Sequence, residues 1–168
     1  RAVRDRTTQV LAGVVALAAA PRFATLDAQS YWSDEAVTVL LLKGSLGDLL
    51  RAIPDSESTP PLYYVLAWLW SKALGTGEVG LRSLSALAGT LTVVAAFAAG
   101  RRLVSDRAGL VAAALVATNP LLWWYSQEAR SYALLVLFAT ASLAFFARAR
   151  LGDRRALAGW AIASALAL

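Results

Sequence analysis

The sequence predicts an all-α, polytopic bundle of membrane-spanning helices, and composition and pattern both support this prediction. Of its 168 residues, 58% are hydrophobic and only 16% are charged, whereas soluble domains usually carry about 25% charged residues. Long apolar runs alternate with short arginine-rich breaks, as in membrane proteins. The chain contains neither Cys nor His, so it offers no disulfide, thiolate nucleophile, imidazole base or usual zinc ligand. Any chemistry of this chain therefore depends on carboxylates, Arg, Lys, Tyr and hydroxyl groups.

Five apolar stretches are predicted to cross the membrane. They are 9–26, 81–99, 108–124, 132–147 and 156–168. The last of them is cut off by the end of the chain, which also begins at Arg1, so we expect an N-terminal part of a longer protein. A further stretch, 60–74, would reach only about 22 Å as a helix, short of the roughly 30 Å hydrocarbon core. We therefore expect it to lie at the membrane interface.

The arginine-rich breaks all fall on one side of the membrane if segment 60–74 does not cross it. Three arginine-rich breaks, 1–6, 100–107 and 148–155, then share one side and hold ten positive and three acidic residues, against six and eight elsewhere. Cytoplasmic loops accumulate Lys and Arg in this way. The sequence thus predicts a cytoplasmic N-terminus and an outer loop at 27–80. Nucleic-acid binding is not expected, because the positive charge does not form one contiguous basic face.

The outer loop is predicted to contain short interfacial helices. Their predicted bounds are 34–42, 46–53 and 60–74. Ser33 is the expected N-cap of the first, and Ser45 with Asp48 resembles a capping box for the second, which should end before Pro54.

The third of these helices has signals at both ends. Thr59 is expected to cap it, with Pro60 in its first turn and Gly75 after its last residue. Its aromatic residues suit the headgroup level of a membrane. They are Tyr63, Tyr64, Trp68 and Trp70.

Charged residues that are candidates for chemistry occur at the outer ends of the predicted spans. They are Asp34 and Glu35, Glu78 and Arg82, and Glu128 and Arg130. Each pair has an ordinary explanation: acids in a first helical turn, an i,i+4 ion pair, or a surface ion pair. Their common side and depth favour a polar cavity, with snorkelling to water as the competing explanation.

The order of the motifs resembles a known family. The motifs are Trp32-Ser33-Asp34-Glu35, Thr59-Pro60-Pro61-Leu62-Tyr63-Tyr64, Glu78 with Leu81-Arg82, Gly100-Arg101-Arg102-Leu103, and Tyr125-Ser126-Gln127-Glu128-Ala129-Arg130-Ser131-Tyr132. In these the chain resembles the N-terminal part of polyprenyl-phosphate-sugar-dependent glycosyltransferases of the GT-C fold, near protein O-mannosyltransferases, aminoarabinose transferases and related bacterial membrane enzymes.

That resemblance implies a reaction and a role for each residue. The sugar would pass from a polyprenyl-phosphate donor to a hydroxyl of a lipid, glycan or protein acceptor, with inversion, at the outer face of a bacterial plasma membrane. By resemblance Asp34 is the base, Glu35 supports it or orients substrate, and Glu128 binds metal or orients the acceptor. Arg82 and Arg130 are the expected phosphate partners, since guanidinium binds phosphate oxygens at two points.

The departure from the family pattern at Thr59, where many bacterial relatives carry His, bears on metal binding. Any metal here would need oxygen ligands such as Asp34 and Glu128, which suits Mg²⁺, Mn²⁺ or Ca²⁺. A metal requirement stays open. The alternative function is a polytopic transporter or a non-catalytic scaffold, although the predicted spans lack the ionisable groups at depth that ion relays use.

Overall fold

The computed structural model describes residues 2–56 and 61–167, which are helical without any strand. The helices are α1 (Ala2–Ala24), α2 (Ser33–Leu42), α3 (Leu46–Ser56), α4 (Leu62–Leu74), α5 (Glu78–Leu103), α6 (Asp106–Thr118), α7 (Pro120–Tyr125), α8 (Tyr132–Arg150) and α9 (Arg155–Leu166). Within these described ranges, three stretches are long and apolar enough to cross a membrane: Asp5–Ala24, Glu78–Leu103 and Tyr132–Arg150. The predicted all-α transmembrane bundle is confirmed.

Helix α5 lies at the centre of the bundle, between α1, α6 and α8. It runs antiparallel to α1, because Arg82 contacts the end of α1 while Val93 packs with Ala18 further back along it. It runs parallel to α8, since Ser85 contacts the Arg130 carbonyl just before α8 begins. The end of α1 and the beginnings of α5 and α8 therefore meet at one end of the bundle.

The predicted span 108–124 is divided into two helices in the structure. Helix α6 stops at Thr118, and α7 starts at Pro120. Asn119 between them is extended, as expected for a residue before proline, and its side chain caps α7 by accepting a hydrogen bond from the Leu122 amide at 3.0 Å. The terminal stretch 156–168 contains the shorter apolar helix α9. Membrane crossing by either stretch stays a prediction.

The connection between α1 and α5 contains α2, α3 and α4, close to the three predicted short helices. The capping box is confirmed, because the Ser45 hydroxyl accepts from the Asp48 amide at 3.2 Å and the Asp48 carboxylate accepts from the Ser45 amide at 3.1 Å. Gly75 follows α4 with a φ of 80°, the positive value that favours glycine at a helix end. The predicted cap Thr59 and first-turn Pro60 lie outside the described residues.

Two boundary predictions were wrong. Ser33 is the first residue of α2 rather than its cap, because the chain enters the helix at Trp32, whose amide donates to the Glu35 carboxylate. Helix α3 passes through Pro54 to Ser56. Proline removes one helical hydrogen bond, and any kink that it causes affects only the two residues of α3 that follow it, which explains why it is tolerated here.

The aromatic residues of α4 divide between two environments. Tyr63 and Tyr64 are buried in a protein core with Leu81 and residues of α2 and α3, so their rings contact protein, and their depth at the headgroup level stays a prediction. The face of α4 that carries them packs against α5. Trp68 and Trp70 are partly buried and donate their indole N–H groups to protein oxygens.

Candidate functional site

The adjacent acids Asp34 and Glu35 begin α2 but have different surroundings. Asp34 is exposed, whereas Glu35 is fully buried at 0% exposure. Successive residues of a helix point about 100° apart, so neighbouring carboxylates can face a cavity and the protein interior respectively. The predicted acidic pair is thus divided between two environments.

Glu35 forms a two-point ion pair with Arg82 on α5. The Arg82 Nε and Nη2 atoms donate to the two carboxylate oxygens at 2.8 and 2.6 Å, and Arg82 is only 4% exposed. The same carboxylate accepts from the Ala129 amide at 2.8 Å. Glu35 therefore joins α5 to the connection between α7 and α8.

The remaining donors of Arg82 hold the chain that follows α1. Nη1 donates to the carbonyls of Leu26 at 2.8 Å and Gln29 at 2.6 Å, and Nη2 also donates to that of Ser30 at 3.3 Å. A guanidinium has five N–H donors, and all five are used here. A phosphate at Arg82 would have to displace one of these bonds.

An open cavity of about 280 Å³ lies beside Asp34, the residue before Glu35. Its lining residues are Trp32, Ser33, Asp34, Tyr125, Glu128, Arg130 and Tyr132. Three predicted site residues, Asp34, Glu128 and Arg130, thus come together although nearly a hundred positions separate the first from the others. Arg130 Nη1 also donates to the backbone carbonyl of Asp34 at 3.5 Å. The cavity combines two carboxylates with one guanidinium.

Glu128 is the buried carboxylate of this cavity, at 8% exposure. Burial raises its pKa above the ordinary value, and the negative charges of Glu35 and Asp34 raise it further. The Trp124 indole N–H, which donates to Glu128 at 2.5 Å, and the charge of Arg130 act in the opposite direction. A carboxyl with a raised pKa exchanges its proton nearer neutral pH, as general acids and bases do.

Residues at the end of α1 hold the chain around Glu128. The buried Arg22 donates to Ser126 Oγ at 3.1 Å and to the Ala117 carbonyl at the end of α6 at 3.2 Å. Gln127 Nε2 donates to Thr25 Oγ1. With Ala129 bound to Glu35, the residues on both sides of Glu128 are attached to the first half of the chain.

Arg22 and Gly89, which both contact Ser126, were absent from the predicted site. The sequence could have indicated Arg22 by its position directly after Pro21, at the end of an apolar run, where charged residues are usually functional. A Cβ added at Gly89 of α5 would overlap the Ser126 hydroxyl. Gly89 therefore lets the chain before Glu128 approach α5.

The described residues contain no group of three or more His, Cys, Asp or Glu side chains arranged to hold a metal ion. The predicted metal candidates Asp34 and Glu128 both line the large cavity. A metal between them would need further oxygen ligands from substrate or water, as Mg²⁺ commonly has. Metal binding stays a prediction.

Comparison with known protein families gives a match over more than half of the chain. The family described as "Dolichyl-phosphate-mannose-protein mannosyltransferase" matches residues 58–168. The matched region includes Arg82, Glu128 and Arg130 and begins after Asp34 and Glu35. No curated protein and no solved structure matches the chain.

Proposed function

Because the chain belongs to the dolichyl-phosphate-mannose-protein mannosyltransferase family, we propose that it moves a sugar from a polyprenyl-phosphate donor to an acceptor hydroxyl. Membership itself makes it a membrane glycosyltransferase. The observation that supports the finer proposal is the large cavity, which places Asp34, Glu128 and Arg130 around one space. The acceptor would be a hydroxyl of a lipid, glycan or protein.

In this reaction the acceptor oxygen attacks the anomeric carbon of the sugar as the bond from that carbon to the phosphate oxygen breaks. The acceptor proton passes to a carboxylate, for which we propose Asp34. The bonding electrons leave with the polyprenyl phosphate, whose negative charge Arg130 stabilises. A single displacement of this kind inverts the anomeric configuration. General-base catalysis contributes about 10²–10⁴-fold to such a step.

The surroundings of the two arginines favour different roles for them. Arg130 lines the cavity, whereas all five donors of Arg82 bind Glu35 or backbone carbonyls. We therefore propose Arg130 as the phosphate partner and Arg82 as a positioning residue. Glu128 would orient the acceptor or, together with Asp34, bind a divalent cation.

A change at Arg130 tests the donor assignment in the complete protein. Binding of a non-hydrolysable polyprenyl-phosphonate sugar should weaken about tenfold or more in Arg130→Ala, because the leaving phosphate loses a charge-assisted contact. The affinity of Arg130→Lys should lie between those of the wild type and Arg130→Ala, since lysine keeps the charge without the planar two-point contact. Arg51→Ala is the control, because Arg51 is exposed on α3 and pairs only locally with Asp48. Unchanged affinity in both Arg130 variants would refute the assignment and favour a scaffold or transporter.

We also propose that the cavity faces outside, with the N-terminus in the cytoplasm. This is supported by helix direction, because the breaks 100–107 and 148–155 lie at the ends of α5 and α8 that are far from the cavity. The cysteine-free chain allows a direct test. A cysteine at the exposed Gly77 should react with an impermeant thiol reagent added outside, whereas one at the exposed Ser105 should not. The reverse labelling pattern would show that the topology is the opposite of the proposed one.

A further inference from the structure

A second, smaller cavity of about 70 Å³ adjoins the large one. Its lining includes Thr25, Gln29, Trp32, Trp124, Gln127 and Glu128. Trp32 and Glu128 also line the large cavity, so the two spaces share a wall. The indoles of Trp32 and Trp124 meet edge to face across this region, with ring centroids 5.6 Å apart and planes at 75°.

The two cavities differ in the chemistry that they offer a ligand. The large cavity contains the Arg130 guanidinium, which suits a phosphate. The small cavity also touches Arg82, but the five N–H donors of that residue are already engaged. Its other polar lining residues include Gln29, Gln127 and Glu128, and because none of these is cationic, the cavity favours an uncharged partner over a phosphate.

Amides beside indoles are suited to hydroxyl groups on a carbon ring. A side-chain amide both donates and accepts hydrogen bonds, as a sugar hydroxyl does. An indole presents a large apolar face to ring C–H groups while keeping a polar N–H for a partner. Trp32 is 52% exposed and Trp124 is 47% exposed, and both residues line the small cavity.

The size of the small cavity limits what it can hold. The small cavity, at about 70 Å³, has about a quarter of the volume of the large one. Of the two spaces, the small one therefore suits a single substituent of the sugar. The large cavity, at about 280 Å³, has room for the ring and its phosphate.

We propose that the small cavity is a specificity subsite that binds one uncharged polar substituent of the donor sugar, with Gln29 and Gln127 as its hydrogen-bonding residues. This inference rests on the proposed glycosyltransferase function. Glu128 lines both cavities and therefore lies between this substituent and the space that holds the ring and its phosphate. A substrate that lacks the substituent leaves the amides without their partner, which is how polar sites reject deoxy analogues.

The test uses the complete protein with polyprenyl-phosphate mannose and a series of analogues that each lack one hydroxyl. The wild type should lose about tenfold or more in kcat/KM with one analogue of the series and much less with the others. Gln29→Leu should reduce kcat/KM for the parent donor but not for that analogue. The discrimination, which is the ratio of the two kcat/KM values, should therefore fall towards one. Gln127→Leu should act in the same direction.

Gln9→Leu is the matched control, because it makes the same substitution at an exposed position near the other end of α1. It should leave the discrimination unchanged. Gln29 is also exposed, so its substitution tests the subsite even where Gln127→Leu disturbs the bond to Thr25. If kcat/KM falls equally for the parent donor and every analogue in both glutamine variants, the subsite is refuted and the proposed function stands. No turnover of any polyprenyl-phosphate sugar by the wild type would overturn both.

Discussion

The buried ion pair of Glu35 with Arg82 and the open cavity beside Asp34 are built from neighbouring residues but differ in every physical respect. Glu35 is fully buried and accepts hydrogen bonds from Arg82 and the Ala129 amide. Asp34 is exposed and lines a space large enough for a substrate. One short motif therefore supplies a carboxylate that holds the fold and another that is accessible for chemistry.

The difference shows why charge alone does not identify a catalytic group. A carboxylate whose hydrogen-bonding capacity is taken up by the protein has little left for a substrate. A buried ion pair also loses the hydration of both ions, so its two members depend strongly on each other. Burial and partners together separate the structural centre from the cavity.

Glu35→Gln should have the largest effect on stability of the variants considered. It leaves the Arg82 charge buried without its counter-ion, and removing one member of a buried pair destabilises proteins by about 3–5 kcal/mol. Denaturation in detergent should show a markedly lower midpoint. Asp34→Asn is the matched control at the neighbouring position and should unfold like the wild type. Equal stability of both variants would contradict the structural role of Glu35.

Asp34→Asn should have the largest effect on turnover among variants that keep their stability. It removes the proposed proton acceptor while preserving shape, so turnover should fall by about 10²-fold or more with little change in donor binding. Initial rates in the complete protein, together with binding of the phosphonate analogue, measure the two quantities separately. Near-normal turnover would remove Asp34 from the role of base.

Local sequence patterns predicted the helical bundle and several of its details. Apolar runs indicated α1, α5 and α8, and the pair Ser45 and Asp48 marked the start of α3, because these signals depend on nearby residues. Asp34 and Glu128 were predicted to share a site by family resemblance, and the structure places both around the large cavity. Their proposed roles stay predictions.

Side-chain contacts between residues distant in the sequence could not be predicted from local sequence patterns. Glu78 lies four residues before Arg82 and is the default helical partner, yet Arg82 pairs with Glu35 on another helix. Likewise, nothing local indicates that Arg22 meets Ser126, because their contact depends on how the end of α1 packs against the residues that follow α7. Tertiary packing, rather than helix geometry, decides these partners.

Gly89→Ala should have an intermediate effect that tests how firmly the chain around Glu128 is held. The added methyl would overlap Ser126 and disturb its contact with Arg22, and overpacking of this kind costs about 1–3 kcal/mol. Turnover should fall along with stability. Gly13→Ala is the matched control, since a Cβ there meets nothing within 4 Å, and it should be neutral or slightly stabilising because alanine favours helix. Similar behaviour of the two variants would contradict this close approach.

Trp124→Phe should have the smallest effect, a shift in the pH dependence of activity. The Trp124 N–H donates to the Glu128 carboxylate and so favours its ionised form, which opposes the rise in pKa caused by burial. Without this donor the pKa of Glu128 should rise further.

If ionised Glu128 orients the acceptor, the fall in kcat/KM on acidification should then begin at a higher pH, with a shift of about one unit or less. The profile of Trp123→Phe, which changes the neighbouring indole on the same short helix, should match that of the wild type. A shift of the Trp124→Phe profile to lower pH, or none at all, would show that the ionisation of Glu128 does not limit the reaction. The division between a buried, supporting carboxylate and an accessible, reacting one would then extend to Glu128 as well as Glu35.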